Sequence, residues 1–383
     1  MNVETFNYSP ESLAPFFYLN KRDRKNIYIF STEKEALEFY NNFSNFVPEA
    51  SHFPAWDTLS YDSFTPSLEI QGKRLQTLHN LLVMESFDIA MSMKSFTQKI
   101  FINDLDVIDM QIGQEVDFEN LIENLAFLRY VNKDRVESRG TFSIRGGQID
   151  IYPLNSEYPI RIIFNGDEVV ELKLFDYITQ RSIKNIKKVL ITPSSELFQT
   201  NQEDIYKSLE IESKKDLDEY ELFQFSQNLE NFKSLLDFVP DDISINIIDL
   251  NSCKEVFTEL QKIEDDSFNN LQKFFSLNVS KMKSRYVDTL KEINKFETIF
   301  YATNDLENIS NVPQFLDGLS ADNVLQKINN LAKVYLSSSN EKITEKFSGI
   351  TNLQIAEHPF SYSAVFPEMS IAVIDESLFT NRK

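Results

Sequence analysis

The chain has 383 residues, too many for one ordinary domain, so two or three domains with a core in each are expected. Its 42% hydrophobic and 25% charged residues fit a soluble globular protein, and a net charge of −21 repels nucleic-acid phosphate, so any DNA grip would have to lie elsewhere. The single cysteine, Cys253, excludes a disulfide framework and a cysteine zinc site; with no basic leader and no apolar run of the roughly 18 residues a membrane span needs, a cytoplasmic protein without a membrane partner is expected.

NIYIFS at 26–31 reads as a short buried strand. TEKEALEFYNNF follows as a helix, with Thr32 as N-cap and Glu35 three residues on. After the aromatic, turn-rich FPAWDTLSYDSFTP, a helix runs from about Ser67 to Met84, with Leu75, Leu78, Leu81 and Leu82 on one face. FDIAMSM at 87–93 is another apolar strand, and this alternation predicts a parallel α/β unit. From about 108 to 192 the period changes. A short helix, FENLIENLAFL, precedes TFSIR, QIDIY, IRIIF and VVELKLF, each with period 2 and separated by turn signals, which predicts an antiparallel meander. Residues 193–310 return to acidic helical character, with strands ISINIID (243–249) and ETIFYA (297–302). From 311, ADNVLQKINNLA, KVYLSS, a second helix and SIAVIDESLF suggest a small α/β domain.

The chain has only 8 glycines, and Gly140, Gly146, Gly147 and Gly166 all fall within 139–168. They read as turn residues, Gly146-Gly147 permitting positive φ in a tight hairpin. Period 2 then puts Phe142 and Ile144 on one strand face and Thr141, Ser143 and Arg145 on the other. It likewise puts Ile160, Ile162 and Phe164 opposite Arg161 and Ile163, and Val170, Leu172 and Leu174 opposite Glu171 and Lys173. Arg145 and Arg161 are therefore expected on an outer sheet face. They are either solvated strand residues or, because arginine on a rigid sheet has a low ordering cost, anchors for a protein partner.

RGTFSIRGGQIDIYP, YPIRIIFNGDEVVELKLFD and TQRS resemble the second domain of the bacterial transcription-repair coupling factor family (Mfd), a module also found in UvrB. FPAWDTLSYDSFTP followed by KRLQTLHNL resembles the coupling factors rather than UvrB, and SIAVIDESLF resembles the closing strand of their third domain. The resemblance implies the amino-terminal, UvrB-like part of a longer protein. Modules that bind RNA polymerase and that translocate on DNA with ATP and Mg would follow residue 383. It also implies that the β-rich domain recruits UvrA, with Arg145, Arg161, Phe164 and Asn165 as binding positions and Trp56, Gly140, Gly146 and Gly147 as structural signature. The chain departs from the family in carrying Asn165 in place of a phenylalanine, Ile163 in place of an acid, and Arg129-Tyr130 in place of Gly-Tyr.

Chemistry-bearing motifs are few. No G-x-x-x-x-G-K-[ST] phosphate loop occurs, and the Gly72-Lys73 pair falls in a helical run. No cofactor or catalytic residue is therefore assigned. His52, His79 and His358 lack ligand spacing, so no metal is expected. Asp167-Glu168 and Asp241-Asp242 read as turn acids. Trp56 with Phe53 and Tyr61 could stack a base, or could plug the space between the first sheet and a neighbouring domain.

The expected fold is α/β: a degenerate UvrB/helicase-like parallel-sheet domain (1–107 and 193–310), an inserted antiparallel β-rich domain (108–192) and a small α/β domain (311–383). The expected function is an ATP-silent module that recruits UvrA to stalled transcription complexes. The alternatives are a UvrB-type ATP-dependent enzyme, and an autoinhibitory arm whose arginine face docks onto the parent protein's own motor.

Overall fold

The computed structural model describes residues 2–3, 10–61, 64–100, 105–197, 202–210, 212, 216–229, 232, 234–240, 242–271, 283–301, 313–317, 319–360 and 362–380. Asp241 and residue 302 of the last ETIFYA position lie outside them.

Six parallel strands form the central sheet among the described residues, in the spatial order Asn2–Val3, Glu297–Tyr301, Ile243–Ile248, Lys25–Phe30, Phe87–Ser92 and Ser51–Phe53. Segments on both sides of residues 108–192 thus share one sheet. Its strands are apolar on both faces, as a covered parallel sheet requires. Ile27 and Ile29 face one core, and Tyr28 and Phe30 face another. The capping box at helix Glu33–Phe43 is present: Glu35 N–H donates to Thr32 Oγ1 (3.3 Å) and Thr32 N–H donates to Glu35 Oε2 (3.1 Å). Helix Leu68–Val83 begins at the Ser67 cap. Leu75, Leu78 and Leu81 are buried along it, but Leu82, expected on the same face and within about 20° of Leu75 around the axis, is 47% exposed one residue before the helix ends.

The antiparallel sheet has the order Ser182–Ile186, Glu168–Phe175, Ile160–Asn165, Gln148–Tyr152, Thr141–Ile144 and Val131–Asn132, with only the last pair parallel. Helix Phe118–Phe127 packs Leu121 and Leu125 onto one face, among Phe142, Ile149, Ile160 and Ile162. A register shift between Val169 and Glu171 changes the expected alternation. Val169, not Val170, is the fully buried residue, because the extra residue of a bulge inverts the pattern on one side of it. Strands Ile108–Gln111 and Lys188–Ile191 pair antiparallel where the chain enters and leaves this region.

A third sheet, of mixed direction, runs Gln314–Phe315, Ala364–Phe366, Ile371–Asp375, Lys333–Ser337 and Leu353–Ile355. Tyr335, Phe366 and Val373 of this sheet share a core with Phe17, Phe39, Phe43 and Phe46. It is therefore fused to the first body through aromatic packing. Among the described residues no helix is long and apolar enough to cross a membrane, and no group of three or more His, Cys, Asp or Glu side chains could hold a metal.

Candidate protein-binding face

The hairpin at residues 145–148 closes with Arg145 N–H donating to Gln148 O (2.9 Å). Gly146 takes φ +60 while Gly147 does not enter the left-handed region, the pattern of a type II′ turn. Positive φ is thus needed at one glycine and not at both. Gly147 is small for a different reason: a Cβ there would stand 3.2 Å from Phe164 O on the neighbouring strand. Gly140 also has positive φ, +77.

This turn fixes a register that aligns Ser143, Asp150, Arg161 and Lys173 across four strands. Arg161 sits in this row, on the face opposite the helix, as period 2 predicts. It does not project freely. Its Nε donates to Asp150 Oδ1 (2.8 Å), its Nη2 donates to Asp150 Oδ2 (2.9 Å), and the guanidinium lies 4.7 Å from the Phe175 ring centre. Asp150 is 2% exposed and also accepts from Gln148 Nε2 (2.9 Å). The bond to Asp150 outweighs burial and raises the Arg161 pKa further, so the cation is permanent.

Arg145 is exposed, and its Nη2 donates to Asp134 O (2.8 Å). The segment after Asp134 crosses the lower part of the same face, where Val136 is buried against Tyr152 and Phe175. Arg135 donates to Ile178 O (2.6 Å), and Gln180 Nε2 donates to Val136 O (3.3 Å), which ties this strap to the TQRS turn. The open part of the face is therefore bounded by Arg145, Gln148, Ile163, Glu171 and Lys173, the last two paired with each other.

Phe164 does not belong to this face. It is buried on the helix side with Ile160 and Ile162, edge-to-face with Phe118 at 5.1 Å, because it lies three positions after Arg161, an odd step that reverses the face. Asn165 is exposed at the strand end, next to Gly166 at φ +64. Glu168 pairs with Asn165 across that turn, as expected of a turn acid.

Trp56, Phe53 and Tyr61 are all buried, so none presents a ring to a base. Trp56 Nε1 donates to Glu196 Oε1 (3.0 Å), at the end of the antiparallel region, and the ring meets Phe223 edge-on at 5.1 Å. The histidines do not converge. His52 Nε2 lies 3.1 Å from Glu33 Oε1, His79 is part-buried with its pKa lowered by that burial, and His358 N–H donates to Asn45 Oδ1 (2.9 Å).

Residues 108–197 match the family model described as UvrB interaction domain. The transcription-repair-coupling factor of Escherichia coli (strain K12) is 29% identical over 168 residues, 43% of this chain and 14% of that protein. The transcription-repair-coupling factor of Bacillus subtilis (strain 168) is 26% identical over 252 residues, 57% of this chain and 21% of that protein. UvrABC system protein B of Thermosipho africanus is 26% identical over 173 residues, 44% of this chain and 26% of that protein. The resemblance to the coupling factors is thus upheld, and the matched part spans between 14% and 26% of these relatives' own length.

Proposed function

We propose that this chain is a non-catalytic recruitment module of transcription-coupled nucleotide excision repair, and that its antiparallel sheet docks UvrA. The observation that carries the reading is a coincidence of place. The UvrB interaction domain match covers the sheet whose hairpin tip holds Arg145 exposed and which carries Arg161 on the same face, two strands away. On that sheet Arg145 is the anchor and Arg161 orders the surface around it. UvrA would supply acidic groups to Arg145.

ATP silence is part of the same proposal, and the first strand–helix turn supports it. Lys25–Phe30 connects to helix Glu33–Phe43 through only Ser31 and Thr32. A phosphate-cradling loop needs several glycine-freed N–H groups at this place. Here the helix start is occupied by its own capping box, and the Glu33 carboxylate accepts from Ser92 Oγ (2.7 Å) and Ala55 N–H (3.2 Å). Carboxylates at that helix end repel phosphate.

One observation favours a second reading, a UvrB-type ATP-dependent enzyme: the similarity to UvrABC system protein B. Surface plasmon resonance with UvrA of the same organism tests the first reading. Saturable binding supports it, and its absence with properly folded chain rejects it.

A further inference from the structure

Gly72 lies in the interior of helix Leu68–Val83, where glycine costs about 1 kcal/mol relative to alanine. The reason for it is a close approach. A Cβ at Gly72 would stand 2.3 Å from Leu154 O and 2.5 Å from Leu154 C, so the antiparallel region seats its backbone directly on the helix. The same helix holds the region by polar contacts along its length. Gln76 Oε1 accepts from Asn155 Nδ2 (2.7 Å), and Asn155 Nδ2 also donates to Leu190 O (3.0 Å). Gln71 Oε1 accepts from Glu196 N–H (2.9 Å). Arg74 Nε donates to Glu196 Oε1 (2.8 Å), with side-chain exposures of 0% and 1%.

Both members of this ion pair are held from behind. Arg74 Nη1 donates to Pro54 O (2.9 Å) and the guanidinium lies 4.3 Å from the Phe53 ring centre. Glu196 accepts the Trp56 indole N–H as well. Beneath them one apolar cluster runs without a break from Ile27 and Ile89, through Leu75 and Leu78, to Ile149 and Ile162. An apolar contact permits sliding and small rotations. A buried charge pair whose partners are each fixed by a second bond has one register, and such pairs add orientation more than stability.

We propose that Gly72, Arg74 and Glu196 are positioning residues. They set the angle at which the Arg145-bearing sheet stands on the parallel-sheet body, and so the geometry in which a partner held by that sheet meets the body. The functional meaning rests on the UvrA-docking reading, but the orientation itself is measured without a partner.

The test is a spin-label distance distribution in the whole chain, between Lys34→Cys on the first body and Lys184→Cys on the sheet's outer strand. Both positions are exposed, while Cys253 is buried and its thiol is pushed by burial up to about 12, so it stays unlabelled. Wild type should give one narrow distribution. The double variant Arg74→Met, Glu196→Met removes both charges together, so neither is left uncompensated, although the Trp56 indole N–H and the Pro54 carbonyl lose these partners. It should stay folded, with a melting temperature lowered by no more than those two lost bonds account for, yet broaden the distribution, while Gly72→Ala should displace its mean. A wild-type distribution in the folded double variant overturns the proposal, because the apolar core alone would then set the angle. Should either variant fail to fold, Arg74→Gln with Glu196→Gln, which removes both charges and keeps polar groups for Trp56 and Pro54, carries the same comparison. Failure of wild type to bind UvrA would end the docking reading and leave the orientation result standing.

Discussion

Arg161 and Asp150 face each other across adjacent strands and are joined by two hydrogen bonds, Nε to Oδ1 at 2.8 Å and Nη2 to Oδ2 at 2.9 Å. The pair separates what this arginine does for the fold from what it does for a partner. Asp150 is almost wholly buried, so removing its cation leaves a carboxylate without compensation. Arg161→Ala should therefore destabilise by about 2–3 kcal/mol in urea unfolding, and Asp150→Leu with Arg161→Met should recover most of that loss. A full-stability Arg161→Ala would contradict this.

Arg145 is the cleaner probe of binding. Exposed and bonded to a carbonyl, it should change stability by no more than about 0.5 kcal/mol on substitution by alanine. If it anchors UvrA, Arg145→Ala should cost about 2 kcal/mol, roughly a thirtyfold loss of affinity by surface plasmon resonance. Equal affinity in the variant would reduce the residue to a solvated hairpin tip.

Arg129 occupies the left-handed region at φ +67, just past helix Phe118–Phe127, where Tyr130 N–H donates back to Leu125 O (2.9 Å). This is the Schellman arrangement that glycine favours. Arg129→Gly should stabilise the chain by about 1 kcal/mol, and Arg129→Ala should not, which chemical denaturation of the two variants distinguishes.

Stability should fall on the acid side. Burial alone would raise the Glu33 pKa, but bonds from His52 and Ser92, with the Ala55 N–H, outweigh it and hold the carboxyl below its ordinary value. For a depressed carboxylate the contribution is complete above the unfolded pKa, about 4.3, and is lost as pH falls through the lower folded value. Glu297 is depressed in the same sense, first by its bond to Arg24. Urea midpoints between about pH 3 and pH 6 should drop towards acid in wild type, and Glu33→Gln should flatten that slope.

Mg-ATP should give no binding heat in isothermal titration, because the first strand–helix turn offers two residues and carboxylates in place of a glycine loop. A saturable nucleotide site would favour the UvrB-type enzyme.

What the sequence made legible was local. Period 2 alone sorts Arg161 from Ile160 and Ile162, and by the same logic it puts Phe164 on the buried side. The resemblance carries Phe164 into the binding set, whereas the structure buries its ring on the helix side against Phe118. The Thr32–Glu35 capping box was legible because its partners are three residues apart. Contacts between distant segments were not. The Arg161–Asp150 bond depends on the register of two strands joined by a loop, and the Trp56–Glu196 bond spans 140 positions. Gly72 was visible only as a failed phosphate-loop match. Its purpose needs Leu154 to be placed against it. The bulge after Val169 shifted a face that strict alternation had assigned to Val170.

The order of strands in the parallel sheet has a consequence for the ribosome. Lys25–Phe30 lies between Phe87–Ser92, made soon after it, and Ile243–Ile248, made only after the whole antiparallel region. At about 5–20 residues per second, the interval between residues 30 and 243 is roughly 10–40 seconds of translation. Throughout it the edge of Lys25–Phe30 that will pair with Ile243–Ile248 has no partner strand, and Ile27 and Ile29 within it lack the part of their core that Ile245 and Ile247 supply. An open apolar strand edge templates pairing with other chains. The nascent protein therefore passes through an aggregation-prone window that closes when Ile243–Ile248 docks, and a polypeptide interrupted before residue 243 would never leave it.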